Sequence, residues 1–255
     1  IEKPTAGFVM SDTVASCPPA TVYMTNGSAG ASAYAWTFGN NTTSTLTNPT
    51  AVYTYPGTYP IKLIATSASG CKDSVSKNMV VYGPTGTFSY IAPTGCKPLT
   101  VNFSATSSNT TSYIWDMNNG FTKSTTGNTY SYTYTQGGSF IPKLILSDGT
   151  NCLVAIAGTD TIKVDHVEAD FSFSTTSLCD SGIVYFNDTI FSTISSVNSR
   201  TWDFGDGSSS TAEDPNHNYT TSGTYTVKLI IGNTIGCKDT VTKTVVIHAS
   251  PNVLV

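Results

Sequence analysis

The sequence predicts an all-β protein made of three similar sandwich modules in a row. The first observation is the spacing of six cysteines, which form three pairs of nearly constant separation: Cys17 and Cys71, Cys96 and Cys152, Cys179 and Cys237. The second is that one tryptophan follows the first cysteine of each pair at a nearly constant distance: Trp36, Trp115 and Trp202. The third is a series of short alternating apolar and polar runs, separated by turn residues and without a helical period. A repeat of about 80 residues accounts for all three observations.

The composition excludes several classes of protein. The chain of 255 residues has 12 Lys and Arg against 16 Asp and Glu, a net charge of −4, and only 11% of its residues are charged, where about 25% is usual. We therefore expect no nucleic-acid partner. Much of the polar content is uncharged, since the chain has 43 threonines and 31 serines. Its 39% hydrophobic and 11% aromatic residues are enough to build folded cores, so disorder is not predicted. No apolar run approaches the ~20 residues that span a bilayer, so we expect no membrane insertion in this segment.

Each module has a short predicted strand that begins five residues after its first cysteine. Alternation that leaves one face buried is found at Val22-Tyr23-Met24, Val101-Asn102-Phe103 and Val184-Tyr185-Phe186. A polar loop follows, and then a strand centred on the tryptophan, at 34–38, 113–117 and 200–204. In each of these strands the tryptophan and the residue two positions later share a face.

A hairpin and a closing strand complete each module. Glycines, which readily adopt positive φ, mark the hairpin turns at Gly57, Gly137-Gly138 and Gly223. Alternating apolar residues follow each turn, and the last strands lie at 79–81, 161–164 and 244–247. Pro142 falls inside one predicted strand and has no amide hydrogen to donate, so we expect an edge or a bulge there.

The third module carries two specific patterns. A Trp-Asp-Phe-Gly-Asp-Gly turn occupies 202–207, and a Tyr-x-x-x-Gly-x-Tyr-x-Val hairpin occupies 219–227. Both closely resemble the PKD domain (polycystic kidney disease repeat), an immunoglobulin-like β-sandwich. The other two modules are degenerate at the turn, with Trp36-Thr37-Phe38-Gly39-Asn40-Asn41 and Trp115-Asp116-Met117-Asn118-Asn119-Gly120. The resemblance implies three tandem immunoglobulin-like sandwiches in a semi-rigid row, over 1–83 (module 1), 84–165 (module 2) and 166–249 (module 3). Residues 250–255 then form a linker or begin a further module.

The resemblance also implies an aromatic core signature in every module. The signature residues are Trp36, Tyr55 and Tyr59 in module 1, Trp115, Tyr134 and Phe140 in module 2, and Trp202, Tyr219 and Tyr225 in module 3. The Gly-Cys-Lys-Asp sequences at 70–73 and 236–239 are similar to PKD repeats in large secreted proteins of gliding, Bacteroidota-type bacteria. This similarity implies an extracellular or cell-surface location.

The cysteines are interpreted as one disulfide within each module. A bridge closing a loop of that length stabilises a fold by roughly 4 kcal/mol in a chain-entropy model. Six buried free thiols are the alternative. Metal ligation is disfavoured, because the sequence has no Cys-x-x-Cys cluster. Paired disulfides indicate an oxidising, extracellular setting.

Catalysis is not predicted. A catalytic site belonging to the fold would be repeated with the modules, and no nucleophile with a base and an orienting group repeats. His166, His217 and His248 are interpreted as ordinary histidines at the solvent edge. Asp203 and Asp206 are interpreted as turn formers, because Asp and Asn side chains cap their own backbone in such loops.

Calcium is a weaker hypothesis for the same loop. Asp203, Asp206 and nearby Asp214 offer the hard oxygen ligands that calcium prefers. The chain lacks an Asp-x-Asp-x-Asp loop, and the other modules lose most of this charge. The structural role is therefore favoured, and no other cofactor is expected.

The predicted function is that of a noncatalytic extracellular stalk and adhesion array within a larger secreted or cell-surface protein. Neither connection between modules, 82–87 or 165–170, is a long Gly/Ser linker, which favours a semi-rigid row. Partners would be a protein or glycan ligand, or copies of the chain itself. Outward-facing Tyr23 and Tyr185 form either a contact platform or stabilising cross-strand pairs. Two alternatives stay open: accessory modules of a secreted hydrolase, and a subunit region of a homo-oligomeric surface filament.

Overall fold

The computed structural model describes residues 3–174 and 178–250, and it contains β-strands and no helix over these residues. The predicted all-β sandwich class is therefore confirmed. Apart from Ser250, the predicted linker at 250–255 lies outside the described residues. No helix in the described part of the chain is long and apolar enough to cross a membrane.

Module 1 is a sandwich of two sheets. Its strands are β1 (Phe8–Met10), β2 (Val14–Ala15), β3 (Ala20–Asn26), β4 (Ala33–Thr37), β5 (Thr43–Ser44), β6 (Thr50–Tyr53), β7 (Gly57–Thr66) and β8 (Lys72–Val81). One sheet has the order β1-β3-β6 and the other the order β2-β8-β7-β4-β5. Val22 and Met24 of the first sheet share a core with Trp36 and Leu63 of the second, and all four are at most 1% exposed. The alternation in the sequence thus gives each sheet one apolar inner face.

Module 2 departs from this pattern where proline interrupts a strand. Its strands are β9 (Thr85–Tyr90), β10 (Thr94–Cys96), β11 (Leu99–Ser108), β12 (Ser112–Asp116), β13 (Thr122–Thr125), β14 (Thr129–Tyr134), β15 (Gly138–Phe140), β16 (Lys143–Ser147), β17 (Leu153–Ala157) and β18 (Ile162–Asp165). The long strand that is continuous as β7 in module 1 is divided here into β15 and β16, which pair in different sheets, with Pro142 between them. An edge or a bulge is expected at Pro142, and the structure has an irregularity there in the form of a break between two strands. Proline has no N–H to donate to a neighbouring strand at that point.

Module 3 repeats the arrangement of module 1. Its strands are β19 (Val167–Glu168), β20 (Phe171–Phe173), β21 (Gly182–Asp188), β22 (Phe191–Ser192), β23 (Val197–Asp203), β24 (Ser209–Ser210), β25 (Asn216–Tyr219), β26 (Gly223–Asn233) and β27 (Lys238–Ile247). The sheets β20-β21-β25 and β24-β23-β26-β27 enclose the core. Trp202 packs edge-on against Phe171 with ring centroids 5.1 Å apart, and Trp36 packs against Phe8 at the same distance in module 1.

By compactness the chain divides into two units rather than three. Unit 1 comprises 1–89, 103–130 and 142–158, and unit 2 comprises 90–102, 131–141 and 159–255. Unit 1 holds module 1 together with the β13-β12-β16-β17 sheet of module 2, and unit 2 holds the β10-β18-β15 sheet together with module 3. The division of the sequence into three modules stays a prediction.

Candidate functional site

The turn at 202–207 is held by aspartate side chains that accept hydrogen bonds from the backbone two residues on. Oδ1 of Asp203 accepts the N–H of Gly205 at 3.0 Å, and Oδ1 of Asp206 accepts the N–H of Ser208 at 3.0 Å. Asn40, at the position of Asp206 in module 1, accepts a backbone N–H in the same way at 3.2 Å. The interpretation of these residues as turn formers is confirmed.

Two glycines of this turn face different surroundings. Gly205 has φ +81°, and a Cβ there would lie 2.7 Å from the carbonyl oxygen of Thr226. Gly207 has φ +92° and open space around the position of a Cβ. Gly205 is therefore required both by conformation and by close approach, whereas Gly207 is required by conformation alone.

His217 packs against this turn. Its ring stacks on Phe204 with centroids 4.3 Å apart, and its Nε2 lies 2.7 Å from Oδ2 of Asp206 and 3.3 Å from Oγ of Ser208. The interpretation of His217 as a solvent-edge histidine is wrong, because its side chain is only 16% exposed. His248 is exposed, as predicted.

The geometry of this cluster is structural rather than catalytic. The Ser208 hydroxyl donates to the Asp206 carboxylate, and both groups meet the same imidazole nitrogen. A nucleophile–base–orienter triad needs the serine and the carboxylate on opposite ring nitrogens. Burial alone would raise the pKa of Asp206, but hydrogen bonds from Ser208 and His217 lower that pKa to about 2.

The three aspartates of the calcium hypothesis bond separate protein donors. Asp214 accepts the N–H of Asp188 at 3.0 Å and the side-chain amide of Asn187 at 3.3 Å. Asp203 also lies 3.6 Å from the ammonium group of Lys228. Within 3–174 and 178–250, no group of three or more His, Cys, Asp or Glu side chains is placed to hold a metal ion. Calcium binding stays a prediction.

The aromatic core signature has one misplaced member. Trp36, Trp115 and Trp202 are at most 1% exposed, but Tyr55 is 61% exposed, and Tyr53 takes its core position at 1%. Strand β6 ends at Tyr53, so its alternation carries Tyr53 inward and leaves Tyr55 beyond the strand. The spacing could have shown this, because the paired aromatic residues of the other two modules lie six positions apart, as Tyr53 and Tyr59 do.

Two buried tyrosines, Tyr53 and Tyr219, hydrogen-bond to the backbone of the turn that follows the tryptophan strand. The hydroxyl of Tyr53 donates to the carbonyl of Phe38 at 3.0 Å, and the hydroxyl of Tyr219 donates to the carbonyl of Phe204 at 2.9 Å. Burial raises the pKa of Tyr53 to about 12, and it raises the pKa of Tyr219 as well. Both hydroxyls therefore stay protonated as hydrogen-bond donors at neutral pH.

The cysteines pair between modules, not within them. Cys17 is bonded to Cys152 inside unit 1, with Cα atoms 5.5 Å apart, and Cys96 is bonded to Cys237 inside unit 2, with Cα atoms 5.4 Å apart. Cys71 and Cys179 are free thiols. The expected bridges Cys17–Cys71, Cys96–Cys152 and Cys179–Cys237 are therefore wrong, and so is the alternative of six free thiols. The physical reason is that each first cysteine lies beside the end of the last strand of its own module, at β8, β18 and β27. The second cysteines lie earlier, in the loops directly before β8, β17 and β27.

Sequence reasoning missed Asp165, which is 0% exposed at the connection between modules 2 and 3. Its carboxylate accepts the backbone N–H groups of His166 at 2.8 Å and of Ile194 and Ser195 at 3.0 Å each, and the side-chain amide of Asn233 at 2.9 Å. Burial would raise the pKa of Asp165, but hydrogen bonds from the Ser195 hydroxyl and from the backbone N–H groups of Ile194, Ser195 and His166 hold that pKa below its ordinary value. Nothing in the sequence singles out Asp165, because two further carboxylates, Glu168 and Asp170, follow it within five residues.

The comparison with known families decides the assignment of the chain. The family profile of the PKD domain matches residues 2–82 and 168–248, which together make up more than half of the chain. The chain belongs to the PKD domain family. The predicted tandem PKD repeats are thereby confirmed, whereas the resemblance to Bacteroidota-type proteins stays a prediction.

Relatives of known identity match parts of the PKD chain. A microbial collagenase from Vibrio alginolyticus is 50% identical over 48 residues, which make up 19% of this chain and 6% of that protein. The PKD1 domain of the Vibrio cholerae metalloprotease PrtV is 29% identical, and the match covers 32% of this chain and 100% of that structure with a TM-score of 0.29. The PKD1 domain of Vibrio anguillarum Epp is 28% identical, over 33% of this chain and 95% of that structure, with a TM-score of 0.30.

Proposed function

We propose that this chain is a noncatalytic extracellular stalk that carries an interaction surface within a larger protein. The observation that carries the proposal is the disulfide pairing, in which each bridge joins one module to the next. Cys17–Cys152 closes a sequence separation of 135 residues and Cys96–Cys237 one of 141. By loop entropy each bridge stabilises the native state by up to about 5 kcal/mol. A bridge between modules also limits bending at the junction, which a bridge within a module does not.

The same pairing supports an oxidising location. Structural disulfides persist outside the cell and are rare in the reducing cytosol. Two bridges at successive junctions are useful to a protein that meets mechanical or proteolytic stress. A chain cut between two bonded cysteines stays covalently joined, and the two ends of a bridged segment cannot be pulled apart by force. These considerations favour a secreted or surface-exposed protein.

The outer sheet faces supply the interaction surface. Tyr23 on β3 is 60% exposed and Tyr185 on β21 is 61% exposed, at equivalent positions of modules 1 and 3. Exposed tyrosine combines an apolar ring with a hydroxyl that hydrogen-bonds, which suits protein and glycan ligands. The proposed partner is therefore a protein or glycan surface, or another copy of the chain.

The alternative is that these PKD modules are accessory to a secreted hydrolase. The collagenase and metalloprotease relatives favour it, because both named proteins are proteases with a stretch similar to this chain. In that case the catalytic domain lies elsewhere in the full protein. A subunit region of a surface filament is the second alternative.

The stalk is tested by small-angle X-ray scattering on the oxidised and the reduced chain. We expect reduction to broaden the distribution of intramolecular distances, since each junction loses a covalent tie. Unchanged scattering after verified reduction would contradict the stalk.

The surface is tested by binding to cells, glycan arrays and immobilised copies of the chain, with Tyr23→Ser and Tyr185→Ser variants. We expect both variants to bind more weakly than the native chain, because each loses an exposed ring and hydroxyl. Tyr82→Ser is the matched control, because Tyr82 is 59% exposed but lies at the end of module 1. Equal loss of binding in all three variants, or no binding by the native chain, would contradict the proposed surface.

A further inference from the structure

The two disulfides follow one rule. Cys17, the first cysteine of module 1, is bonded to Cys152, the second cysteine of module 2. Cys96, the first cysteine of module 2, is bonded to Cys237, the second cysteine of module 3. Under the same rule, Cys179 is a first cysteine and needs a second cysteine from a following module. Cys71 is a second cysteine and needs a first cysteine from a preceding module.

The loop around Cys71 has the geometry of the bonded second cysteines. The N–H of Cys71 donates to Oγ of Ser67 at 3.2 Å, and the Cys71 carbonyl accepts the N–H of Ser67 at 2.9 Å. In module 3 the N–H of Cys237 donates to Oδ1 of Asn233 at 2.9 Å, and its carbonyl accepts the N–H of Asn233 at 3.0 Å. The loop of Cys71 therefore has the same backbone conformation as the loop that presents a bonded second cysteine to the preceding module.

Cys179 likewise has the backbone setting of a bonded first cysteine. Cys96 pairs in parallel with Asp165 on the closing strand, and the N–H of the next residue donates to the Asp165 carbonyl at 2.9 Å. Cys179 makes a parallel bridge to His248, and the N–H of Asp180 donates to the His248 carbonyl at 2.7 Å. The receiving half of a junction is thus preformed at the end of module 3.

Each free cysteine is more exposed than the bonded cysteines at the equivalent positions of the other modules. The bonded second cysteines, Cys152 and Cys237, are each 3% exposed, whereas Cys71 is half-buried. The bonded first cysteines, Cys17 and Cys96, are half-buried, whereas Cys179 is exposed. Each free thiol lacks the cover that a module supplies at the bonded positions.

We propose that Cys179 and Cys71 are the two complementary halves of a third junction, and that a second copy of this chain, added head to tail, completes it. The bond forms between Sγ of Cys179 in one copy and Sγ of Cys71 in the next. The two protein thiols are oxidised with the loss of two protons and two electrons. A small-molecule disulfide accepts the two protons and the two electrons and is reduced to two thiols. Because the bond joins two different sites, Cys179 of one copy and Cys71 of the next, the contact is heterologous and can be repeated from copy to copy. The coupling rests on the proposed role as a stalk, which it extends from one chain to a line of chains.

The test is oxidation of the purified chain with oxidised glutathione over a range of protein concentrations, followed by non-reducing electrophoresis and peptide mapping. We expect a ladder of linked copies in which Cys71–Cys179 bonds exceed the two homotypic bonds by about tenfold, because matched surfaces raise the effective concentration of the correct pair. Statistical mixing of the three bond types, or a chain that stays monomeric with both thiols capped by glutathione, would overturn the proposal.

Three variants separate the junction from simple thiol reactivity. Cys71→Ser and Cys179→Ser each remove one half, so neither variant alone should form the ladder, and a mixture of the two should give dimers only. A Ser69→Cys, Cys71→Ser double variant keeps an exposed thiol in the same loop, two residues away. Undiminished linking by the double variant would show that exposure alone is responsible. Peptide maps of Cys17–Cys152 and Cys96–Cys237 give a separate readout, because these bridges survive if only the coupling between copies fails.

Discussion

Mechanical stretching of the unfolded chain measures how much of it the two disulfides leave free to extend. With both bridges closed, the shortest route from Cys17 to Cys237 crosses to Cys152, runs back to Cys96, and crosses again. Only the segment between Cys96 and Cys152 carries load on that route, whereas in the reduced chain the whole segment from Cys17 to Cys237 carries it. At about 3.5 Å per extended residue, the unfolded segment reaches about 200 Å when oxidised and about 770 Å when reduced.

The variant Cys71→Ser decides between the observed pairing and bridges within modules. Cys71 bears no bond in the structure, so the variant should keep the extension of about 200 Å. Under pairing within modules, losing Cys17–Cys71 would make all of the chain from Cys17 to Cys96 carry load. The extension would then rise from about 180 Å to about 370 Å.

The assay is single-molecule force spectroscopy on the oxidised chain, held by handles at both ends. Cys152→Ser is the positive control, because it opens one observed bridge and leaves the chain from Cys17 to Cys96 as the load-bearing route. That route is about 280 Å long when extended. An extension of about 370 Å for Cys71→Ser would refute the pairing between modules and the reasoning built on it.

The remaining predictions concern single contacts. Asp165→Ala should lower the free energy of unfolding by about 3 kcal/mol in urea titrations, because several donors lose a buried acceptor; native stability would contradict that role. Gly205→Ala should destabilise by at least about 1 kcal/mol more than its matched control Gly207→Ala, since only the first Cβ meets a backbone carbonyl; equal melting temperatures would be inconsistent with the clash. Hydrogen bonds lower the pKa of Asp206 to about 2, so its charge stabilises the fold above the ordinary carboxyl pKa, and that contribution is lost as the pH falls toward 2. Asp206→Asn should therefore remove about 1 kcal/mol at neutral pH, after a discount for partial exposure, and almost nothing at the acid end of a pH series of denaturant titrations; a loss independent of pH would assign the effect to packing. Millimolar calcium should leave the melting temperature unchanged, because the candidate aspartates already bond protein donors, and a rise of several degrees would assign them to a metal site instead.

Local rules of sequence predicted most of the strands and turns. Alternation placed Val22 and Met24 on an inner face, and both are buried. Asp206 followed the rule that Asp side chains cap turns, and Pro142 followed the rule that proline in a sheet is confined to edges and irregular positions. These features depend on residues within a few positions of one another, which is why the sequence was enough.

Contacts between distant residues were beyond the sequence. His217 looked like a solvent-edge residue because nothing nearby in the chain shows that Phe204 and Asp206 will cover it. Asp165 gave no sign of its role, since all of its donors except the His166 N–H come from distant parts of the chain, from residues 192–195 and from the end of β26.

The sequence by itself determined that this protein repeats a PKD-type sandwich, and which six cysteines accompany the repeat. Only the tertiary structure decided how those cysteines pair. Regular spacing cannot choose a partner, because the separations of 135 and 141 residues between modules are nearly as regular as those within them. A disulfide requires Cα atoms about 5.5 Å apart, and that distance is set by which strand end of one module meets which loop of the next.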